Sequence, residues 1–400
     1  MNGDPTPLPE RFSAWDRRRA GWGGAIYRGR ALPGPDDLVL MSNDYLALGS
    51  APEVLQAQVD SLLRHGNGLM MSGAFTGDDD PRQALEQRFA ELMRAPAAML
   101  CQSGWAANVG LIQAVAPAGS PVYADVTAHM SLWAGIQAAG ALARPFPHND
   151  LEYLERLIGR HGPGLIAVDA LYSVTGDLCP LAELVAVAER TGCEVVADES
   201  HTLGVLGPQG AGLTAALGLT ERVAYRTVSL AKAFAGRAGL IACSRRAADF
   251  LPFHAYPAIF SSTLLPHDLA GLAAVLNRIL TADDRRERLL RQSAALRAGL
   301  TAVGYSIAPS ESWIVPLQPG TEQRISLLQH LLDGEGVFGA PFIPPAVGNN
   351  RCVHRLSVHS ELTDRDLDRV LDACARVRDK AGVQDWKSTR RMCAATPTET

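Results

Sequence analysis

Two short, mostly apolar runs each end in an aspartate: Gly164-Leu-Ile-Ala-Val-Asp169 and Cys193-Glu-Val-Val-Ala-Asp198. The segment between them, from Pro180 to Arg190, has apolar residues at helical spacing. A strand, a helix and a second strand in this order predict a β-α-β unit, in which the strands are parallel and buried on both faces. Because ligand-binding side chains in such sheets lie where the strands end, Asp198 is expected at the carboxyl edge.

The composition is that of an ordinary globular protein, with 400 residues of which 47% are hydrophobic and 20% charged. A net charge of −5 gives no electrostatic case for nucleic acid or an anionic membrane as a partner. The seven cysteines are scattered without a CxxC spacing, which favours a reducing compartment over a disulfide framework or a zinc site. The N-terminus has no signal-peptide design, and no apolar stretch reaches the roughly 18–20 residues of a membrane span. We therefore expect a cytoplasmic protein without a membrane partner.

The pattern of elements predicts three regions and a tail. Residues 1–55 are predicted to form an N-terminal arm, residues 56–280 a large α/β domain, and residues 281–385 a smaller α+β domain. The last residues, 386–400, are mostly polar and are expected to be mobile. Within the smaller domain, Arg285 to Val303 predicts an amphipathic helix, with four leucines along one side: Leu289, Leu290, Leu296 and Leu300.

A lysine lies downstream of Asp198-Glu-Ser-His201, in the stretch Thr227-Val-Ser229-Leu-Ala-Lys232-Ala-Phe. This combination suits pyridoxal phosphate (PLP). The lysine ε-amine can form a Schiff base with the cofactor aldehyde, and an aspartate can keep the pyridine nitrogen protonated so that the ring withdraws electrons. Taken one at a time, the same residues also fit an exposed lysine and a satisfied Asp/His pair at a strand end.

Two further stretches fit the same cofactor. Ser103-Gly-Trp-Ala-Ala-Asn108 follows a short apolar strand and opens a helix, whose unpaired N–H groups suit a phosphate, although a simple capped helix also fits. His129 is either a core histidine or an aromatic plate stacked on a flat heterocycle. Asp198 and His201 have no third ligand at a persuasive spacing, so we predict no metal site.

Four motifs together resemble the α-oxoamine synthases: Ser42-Asn43-Asp-Tyr45-Leu, Ser103-Gly-Trp-Ala-Ala-Asn108, Asp198-Glu-Ser-His201 and the Lys232 stretch. The resemblance runs from about residue 38 to about residue 375. Members of this family condense an amino acid with an acyl-CoA on PLP. The resemblance therefore implies a fold-type-I PLP-dependent transferase similar to aspartate aminotransferase, with a large, mostly parallel sheet domain and a smaller C-terminal α+β domain.

The resemblance also implies how the cofactor ring is held. Lys232 would be the Schiff-base lysine and the base that removes the substrate Cα proton. Asp198 would pair with the pyridine nitrogen, and His129 would stack on the ring. His201 and Ser173 would hydrogen-bond the phenolic oxygen of the ring.

The cofactor phosphate and the substrate have implied ligands of their own. Backbone amides of Gly104 and Trp105, in the motif that contains Ser103 and Asn108, would bind the phosphate with the Ser229 hydroxyl. Ser262 or Thr263 would reach the same phosphate from the partner subunit of a homodimer. The predicted substrate-binding residues are Asn43, Tyr45 and Arg355, with Arg351 as the alternative to Arg355 for the substrate carboxylate.

Further stretches resemble one branch of the family, which makes a quorum-sensing signal: His129-Met-Ser-Leu-Trp133, His161-Gly-Pro-Gly164 and the segment from Tyr256 to Pro266. Ser200, where relatives commonly have Ala, and the run Gly236-Arg-Ala-Gly239 agree with that branch. It implies 2-aminobutyrate or S-adenosylmethionine and a medium-chain acyl-CoA as substrates, and an α-aminoketone as product. Three alternatives stay open: another α-oxoamine synthase, a different PLP reaction on the same fold, or a catalytically silent subunit.

Overall fold

The structure is a computed structural model that describes residues 8–75 and 80–388. Its helices are α1 (Leu8–Ala20), α2 (Pro52–His65), α3 (Pro81–Met93), α4 (Gly104–Val115), α5 (Met130–Ala138), α6 (Leu151–His161), α7 (Leu181–Thr191), α8 (Leu213–Ala216), α9 (Arg245–His254), α10 (Tyr256–Ile259), α11 (Pro266–Ile279), α12 (Asp283–Ala302), α13 (Glu322–Gly334) and α14 (Asp364–Val377). Its strands are β1 (Leu38–Val39), β2 (Ala97–Cys101), β3 (Pro121–Asp125), β4 (Leu142–Phe146), β5 (Leu165–Asp169), β6 (Glu194–Asp198), β7 (Tyr225–Ser229), β8 (Gly239–Cys243), β9 (Ile314–Gly320), β10 (Val337–Phe338), β11 (Ala340–Phe342) and β12 (Cys352–Ser357).

The chain divides into two compact units. The large unit contains the described residues of 43–290 and 359–361, and the small unit contains the described residues of 1–42, 291–358 and 362–400. Residues 8–42, which belong to the predicted N-terminal arm of residues 1–55, thus group with the C-terminal part of the chain. Pairing of β1 with β10 and an ion pair from Arg30 to Asp333 account for this grouping.

The large unit is built on a seven-stranded sheet with the order β2-β8-β7-β6-β5-β3-β4. β8 is antiparallel to both of its neighbours, and the other pairs are parallel. The predicted β-α-β unit is confirmed as β5, α7 and β6, with Asp169 paired to Asp198 in the register. Because parallel strands end at the same edge, Asp125, Asp169, Asp198 and Ser229 all lie at the carboxyl edge of the sheet.

Both faces of the large sheet are covered by apolar side chains. Consecutive residues of one strand belong to different core clusters: Ile166 is in the cluster that contains Leu154 and Leu184, whereas Ala167 is in the cluster that contains Leu111. Burial on both faces explains why these strands are almost wholly apolar in sequence.

The small unit has an antiparallel sheet with the order β11-β12-β9. The predicted amphipathic helix is α12, in which Leu289, Leu296 and Leu300 are fully buried. The prediction for Leu290 was wrong, because that side chain is 43% exposed. Trp386, at the start of the predicted tail, is buried against Tyr305, and residues 389–400 of that tail lie outside the described residues.

None of the helices that the structure describes is long and apolar enough to cross a membrane. Six cysteines lie in the described residues, and none of them forms a disulfide: Cys101, Cys179, Cys193, Cys243, Cys352 and Cys374.

Candidate active site

Asp198 ends strand β6 with its carboxylate held from two sides. Oδ2 accepts a hydrogen bond of 2.6 Å from Asn108 Nδ2, and Oδ1 accepts one of 2.9 Å from the Ser200 backbone amide. Asp198 is 6% exposed and Asn108 is 1% exposed. Each carboxylate oxygen has a second lone pair, so Asp198 keeps acceptor capacity for a ligand N–H.

Asn108 is itself fixed by two hydroxyl groups. Its Nδ2 also donates to Ser131 Oγ over 2.8 Å, and its Oδ1 accepts from Thr227 Oγ1 over 2.5 Å. The sequence stretches quoted above contain both Ser131 and Thr227, but we assigned neither a role. Small hydroxyl residues carry no periodic signal, so only the structure reveals that they orient Asn108.

The N-terminus of α4 meets the end of β7 in close contact. A Cβ on Gly104 would lie 2.5 Å from Ser229 Cβ, so only glycine allows this approach without a shift. Ser103 caps the helix by accepting from the Ala106 amide over 3.0 Å. The Gly104 and Trp105 amides belong to the first helical turn, where they have no intrahelical acceptor. They and the nearby Ser229 therefore form a surface suited to an anion.

His129 precedes α5 and is anchored along its edge. Its backbone amide donates to Asp169 Oδ1 over 3.0 Å, and its Nδ1 lies 2.7 Å from Ser131 Oγ. Burial, and then the nearby charge of Asp198, raise the pKa of Asp169 well above its usual range. His129 is exposed, and the Trp105 ring lies nearly perpendicular to its imidazole, with the ring centroids 6.2 Å apart. A fixed edge and an exposed ring allow His129 to stack on a planar ligand.

His201 and Tyr45 form a buried pair that joins two distant motifs. The Tyr45 hydroxyl lies 2.6 Å from His201 Nδ1 and 3.2 Å from Asn43 Oδ1. Tyr45 is fully buried and His201 is 6% exposed. The structure thus brings together the predicted substrate-binding pair Asn43 and Tyr45 with a predicted cofactor ligand.

Lys232 lies in a tight loop just after β7. The Ala235 amide donates to the Lys232 carbonyl over 2.8 Å, and the Gly236 amide donates to the Leu230 carbonyl over 3.0 Å. Lys232 itself is half-buried. The loop is joined to the Asp198 strand end because the Ser229 amide donates to Ser200 Oγ over 2.7 Å.

Five predicted residues lie elsewhere in the large unit or in the small unit. Ser173 is half-buried in the loop after β5, and the Thr263 amide donates to the Met71 carbonyl over 2.9 Å, next to the exposed Ser262. In the small unit, Arg355 is buried in β12 with its guanidinium 4.7 Å from the centroid of the Phe342 ring. Arg351 precedes that strand and is exposed. The roles assigned to these residues stay predictions.

The large-unit residues fit PLP in three respects. Asp198 offers a fixed acceptor for a pyridinium N–H, Gly104 and Ser229 form an anion surface, and His129 exposes an aromatic face. Lys232 supplies a primary amine on the loop that follows the same strand edge. Within the described residues, no group of histidine, cysteine, aspartate and glutamate side chains could hold a metal ion.

Comparisons with known proteins agree with this fit. The profile of the family described as aminotransferase class I and II matches residues 35–374. The chain is 46% identical over 337 residues to a CAI-1 autoinducer synthase of Vibrio campbellii, which covers 84% of this chain and 86% of that protein. It is 35% identical over 351 residues to an 8-amino-7-oxononanoate synthase of Anaeromyxobacter dehalogenans, which covers 87% of each.

Among solved structures, a serine palmitoyltransferase from S. paucimobilis with bound PLP has a TM-score of 0.88 to this chain at 26% identity. The match covers 94% of this chain and 100% of that one. The fold and the matched family define a fold-type-I PLP-dependent transferase, which confirms the predicted fold class and cofactor. The chain belongs to the α-oxoamine synthase family and is a PLP-dependent acyltransferase that catalyses acyl condensation.

Proposed function

We propose that this enzyme condenses 2-aminobutyrate or S-adenosylmethionine with a medium-chain acyl-CoA. The new bond joins the amino-acid Cα to the acyl carbonyl carbon. The thioester C–S bond breaks and releases CoA, and the carboxyl group leaves as CO₂. The product is an α-aminoketone, which we propose to be the precursor of an autoinducer.

The observation that carries the proposal is the 46% identity to a CAI-1 autoinducer synthase over 84% of this chain. The oxononanoate synthase quoted above is 35% identical over a similar length, so it gives weaker support to a different substrate pair. Ser200 and the Gly236–Gly239 run, which depart from the common family pattern, also agree with the signal-producing branch.

Two residues carry the proton chemistry in this proposal. When bound, PLP supplies an electron-withdrawing ring that stabilises negative charge at the substrate Cα. Asp198 holds a proton on the pyridine nitrogen, because an ionised carboxylate with fixed oxygens is a strong acceptor for a charged donor. Lys232 would hold the cofactor aldehyde through its ε-amine, and its Nζ would accept the Cα proton of the amino acid.

Other residues orient the cofactor. The Gly104 and Trp105 amides and the Ser229 hydroxyl bind the phosphate. His129 stacks on one face of the ring. His201 and Ser173 would donate to its phenolic oxygen, and the hydrogen bond between His201 Nδ1 and the Tyr45 hydroxyl sets the direction of the imidazole.

Asn43, Tyr45 and Arg355 are proposed for the substrate. Asn43 can donate from its amide to a carboxylate, and Arg355 can do so in bidentate form. Arg351 is the alternative to Arg355. Exchanging each arginine for lysine shows which of the two binds the substrate. Lysine cannot bind a carboxylate in bidentate form, so the KM for the amino acid rises only when the carboxylate-binding arginine is replaced.

We also propose a cytoplasmic homodimer in which Ser262 or Thr263 of the second copy completes the phosphate site. Support comes from exposed apolar side chains on one helix of the large unit. On α2, Leu55, Val59 and Leu62 are 45%, 47% and 46% exposed, and Leu63 is 82% exposed. Sedimentation of the purified protein tests the assembly, and a monomer at all concentrations would contradict it.

The decisive test of the reaction is CoA release. The enzyme is mixed with PLP, decanoyl-CoA and one amino acid at a time, and free thiol and product mass are measured. We expect faster release with 2-aminobutyrate or S-adenosylmethionine than with glycine, alanine or serine. Lys232→Ala, the matched control, is expected to release none above background.

The remaining outcomes identify the alternatives. Fastest release with alanine, glycine or serine would replace the proposed substrates by those of another α-oxoamine synthase. Conversion of the amino acid without thiol release would indicate a transaminase or β-lyase reaction. Absence of any turnover with bound PLP would indicate the silent subunit, which the presence of Lys232, Asp198 and His201 disfavours.

A further inference from the structure

His148 lies just after β4 and bridges two buried carboxylates. Its Nδ1 is 3.1 Å from both oxygens of Asp125, and its Nε2 is 2.7 Å from Asp177 Oδ2. The Asp125 side chain is fully buried and that of Asp177 is 8% exposed, whereas that of His148 is 27% exposed. The Tyr172 ring meets the imidazole edge to face at a centroid distance of 4.4 Å.

The hydrogen-bond directions require a proton on each ring nitrogen of His148. The Thr127 hydroxyl donates to Asp125 Oδ1 over 2.6 Å, so it presents only lone pairs to His148 Nδ1, 2.8 Å away. The Tyr172 hydroxyl likewise donates to Asp125 Oδ2 over 3.0 Å. Since carboxylate oxygens only accept, both nitrogens of His148 face acceptors.

Electrostatics support the charged form. Burial lowers the pKa of His148, but the hydrogen bonds and charges of Asp125 and Asp177 outweigh this and raise it to about 9. Burial alone would raise the pKa of Asp125, and the bond from His148 and those from Thr127 and Asn149 instead lower it. The buried Asp169 also feels the charge of His148. An imidazolium thus offsets the charge of two buried carboxylates.

One carboxylate shapes the turn that leads to His129. Asp125 ends β3, and its Oδ1 accepts from the Thr127 amide over 2.8 Å. Its backbone carbonyl accepts from the Ala128 amide over 2.9 Å. His129 is the next residue, so the position of Asp125 determines where His129 caps the N-terminus of α5.

The residue that carries the other carboxylate, Asp177, closes the loop that contains Ser173 through its backbone. The Tyr172 amide donates to the Asp177 carbonyl over 3.0 Å, and the Gly176 amide donates to the Tyr172 carbonyl over 2.9 Å. Asn149, the neighbour of His148, also donates to Asp177 Oδ2 and to the Leu178 carbonyl, each over 3.3 Å. His148 therefore ties the Ser173 loop to the His129 turn.

We propose that His148 is a positioning residue, which holds His129 and Ser173 at the correct separation for the cofactor ring. The inference rests on the roles given to His129 and Ser173 in the proposed function. A cluster that only stabilised the fold would need no connection to His129 or Ser173. Here Asp125 belongs to the segment that leads to His129, and Asp177 belongs to the loop that contains Ser173.

The test compares His148→Gln and Asp177→Asn with wild type. Each apoprotein is titrated with PLP, and the circular dichroism of the bound cofactor is recorded per folded molecule. We expect both variants to bind PLP on the order of tenfold more weakly and to change the cofactor dichroism, because the two ring contacts are no longer held together. His161→Gln, at the exposed end of α6, is the matched control and should behave as wild type.

Wild-type PLP affinity and an unchanged cofactor spectrum in both variants would overturn the proposal, even if the melting temperature falls. Should His148→Gln not fold, Asp177→Asn decides, because it keeps the shape of the side chain and removes one charge. CoA release by wild type tests the proposed function separately. An enzyme that binds PLP without releasing CoA would contradict that function while the affinity comparison still decides the role of His148.

Discussion

Asn108 donates to Asp198 across 2.6 Å, and this bond connects helix α4 to the end of strand β6. The N-terminal turn of the same helix contains Gly104 and Trp105, the proposed phosphate ligands. One helix would thus position groups for both ends of the cofactor in the proposed site, the phosphate and the pyridine nitrogen. Displacing α4 would therefore affect both contacts together.

Asn108→Ala is expected to weaken PLP binding on the order of tenfold, because Asp198 loses a fixed donor. The free energy of unfolding should fall by about 1–3 kcal/mol, since the Thr227 hydroxyl loses its buried acceptor. PLP titration and urea denaturation measure the two effects. Asn277→Ala, at an exposed position on α11 where Oδ1 accepts from Arg88 Nη2 over 2.6 Å, is the control and should leave the PLP affinity unchanged, with a stability loss of at most about 1 kcal/mol. Unaltered PLP affinity in Asn108→Ala would remove Asn108 from the cofactor site.

Gly104→Ala is expected to displace α4 from β7. The added Cβ would lie 2.5 Å from Ser229 Cβ and 2.8 Å from Ser229 Cα, so the helix or the strand must move. Overpacking of this kind costs about 1–3 kcal/mol of stability. We also expect weaker binding of PLP and of inorganic phosphate, as measured by titration of the apoprotein.

Gly159→Ala is the matched control for that substitution. Gly159 also lies in a helix, but a Cβ there meets no atom within 4 Å. It should be neutral or stabilising by about 0.5–1 kcal/mol, because alanine is the better helix former. Equal phosphate affinity in the two variants would contradict the proposed phosphate site.

The sequence was sufficient to predict the elements around the site but not the contacts between them. The apolar strands that end in Asp169 and Asp198 predicted a parallel pair, which the structure confirms. Periodicity cannot reveal that Tyr45 meets His201, because 156 residues separate them. His148 likewise lies in none of the sequence motifs, although the structure connects that residue to two segments of the proposed site.

The two local predictions that differ from the structure have simple reasons. Leu290 directly follows Leu289, and neighbours on a helix point about 100° apart, so they cannot share one narrow apolar face. Trp386 stands among polar residues, and composition alone therefore suggested an exposed tail. Its indole packs on Tyr305 with centroids 5.8 Å apart, and Nε1 donates to the Ala381 carbonyl over 3.2 Å.

Ser200→Ala is expected to loosen the connection between the Asp198 strand end and the lysine loop. The Ser229 amide loses its 2.7 Å acceptor, which costs about 1 kcal/mol of stability. The fold should persist, because the substitution removes one hydroxyl group and adds no atom that would have to be packed. Denaturation measures the stability, and PLP titration measures the cofactor affinity. Ser200→Thr keeps a hydroxyl and should therefore be closer to wild type in both. A larger loss of stability in Ser200→Thr than in Ser200→Ala would show that the space available at this position, and not the hydrogen bond, determines which residue fits there.

His354 in β12 should make the protein lose stability in mild acid. The side chain is fully buried, and neither ring nitrogen has a hydrogen-bond partner among the described residues. Burial, and then the charge of Arg30, lower its pKa to about 3. The unfolded chain, with a histidine pKa of about 6.5, binds the proton more tightly, so stability present above pH 6.5 is lost as the pH falls toward 3. One such group changes the free energy of unfolding by up to about 1.4 kcal/mol per pH unit.

Urea denaturation from pH 7 to 5 measures this dependence. The free energy of unfolding should change less steeply with pH for His354→Asn than for wild type, whereas His330→Asn on the exposed side of α13 should keep the wild-type dependence. Equal slopes for wild type and His354→Asn would assign the acid sensitivity to other groups.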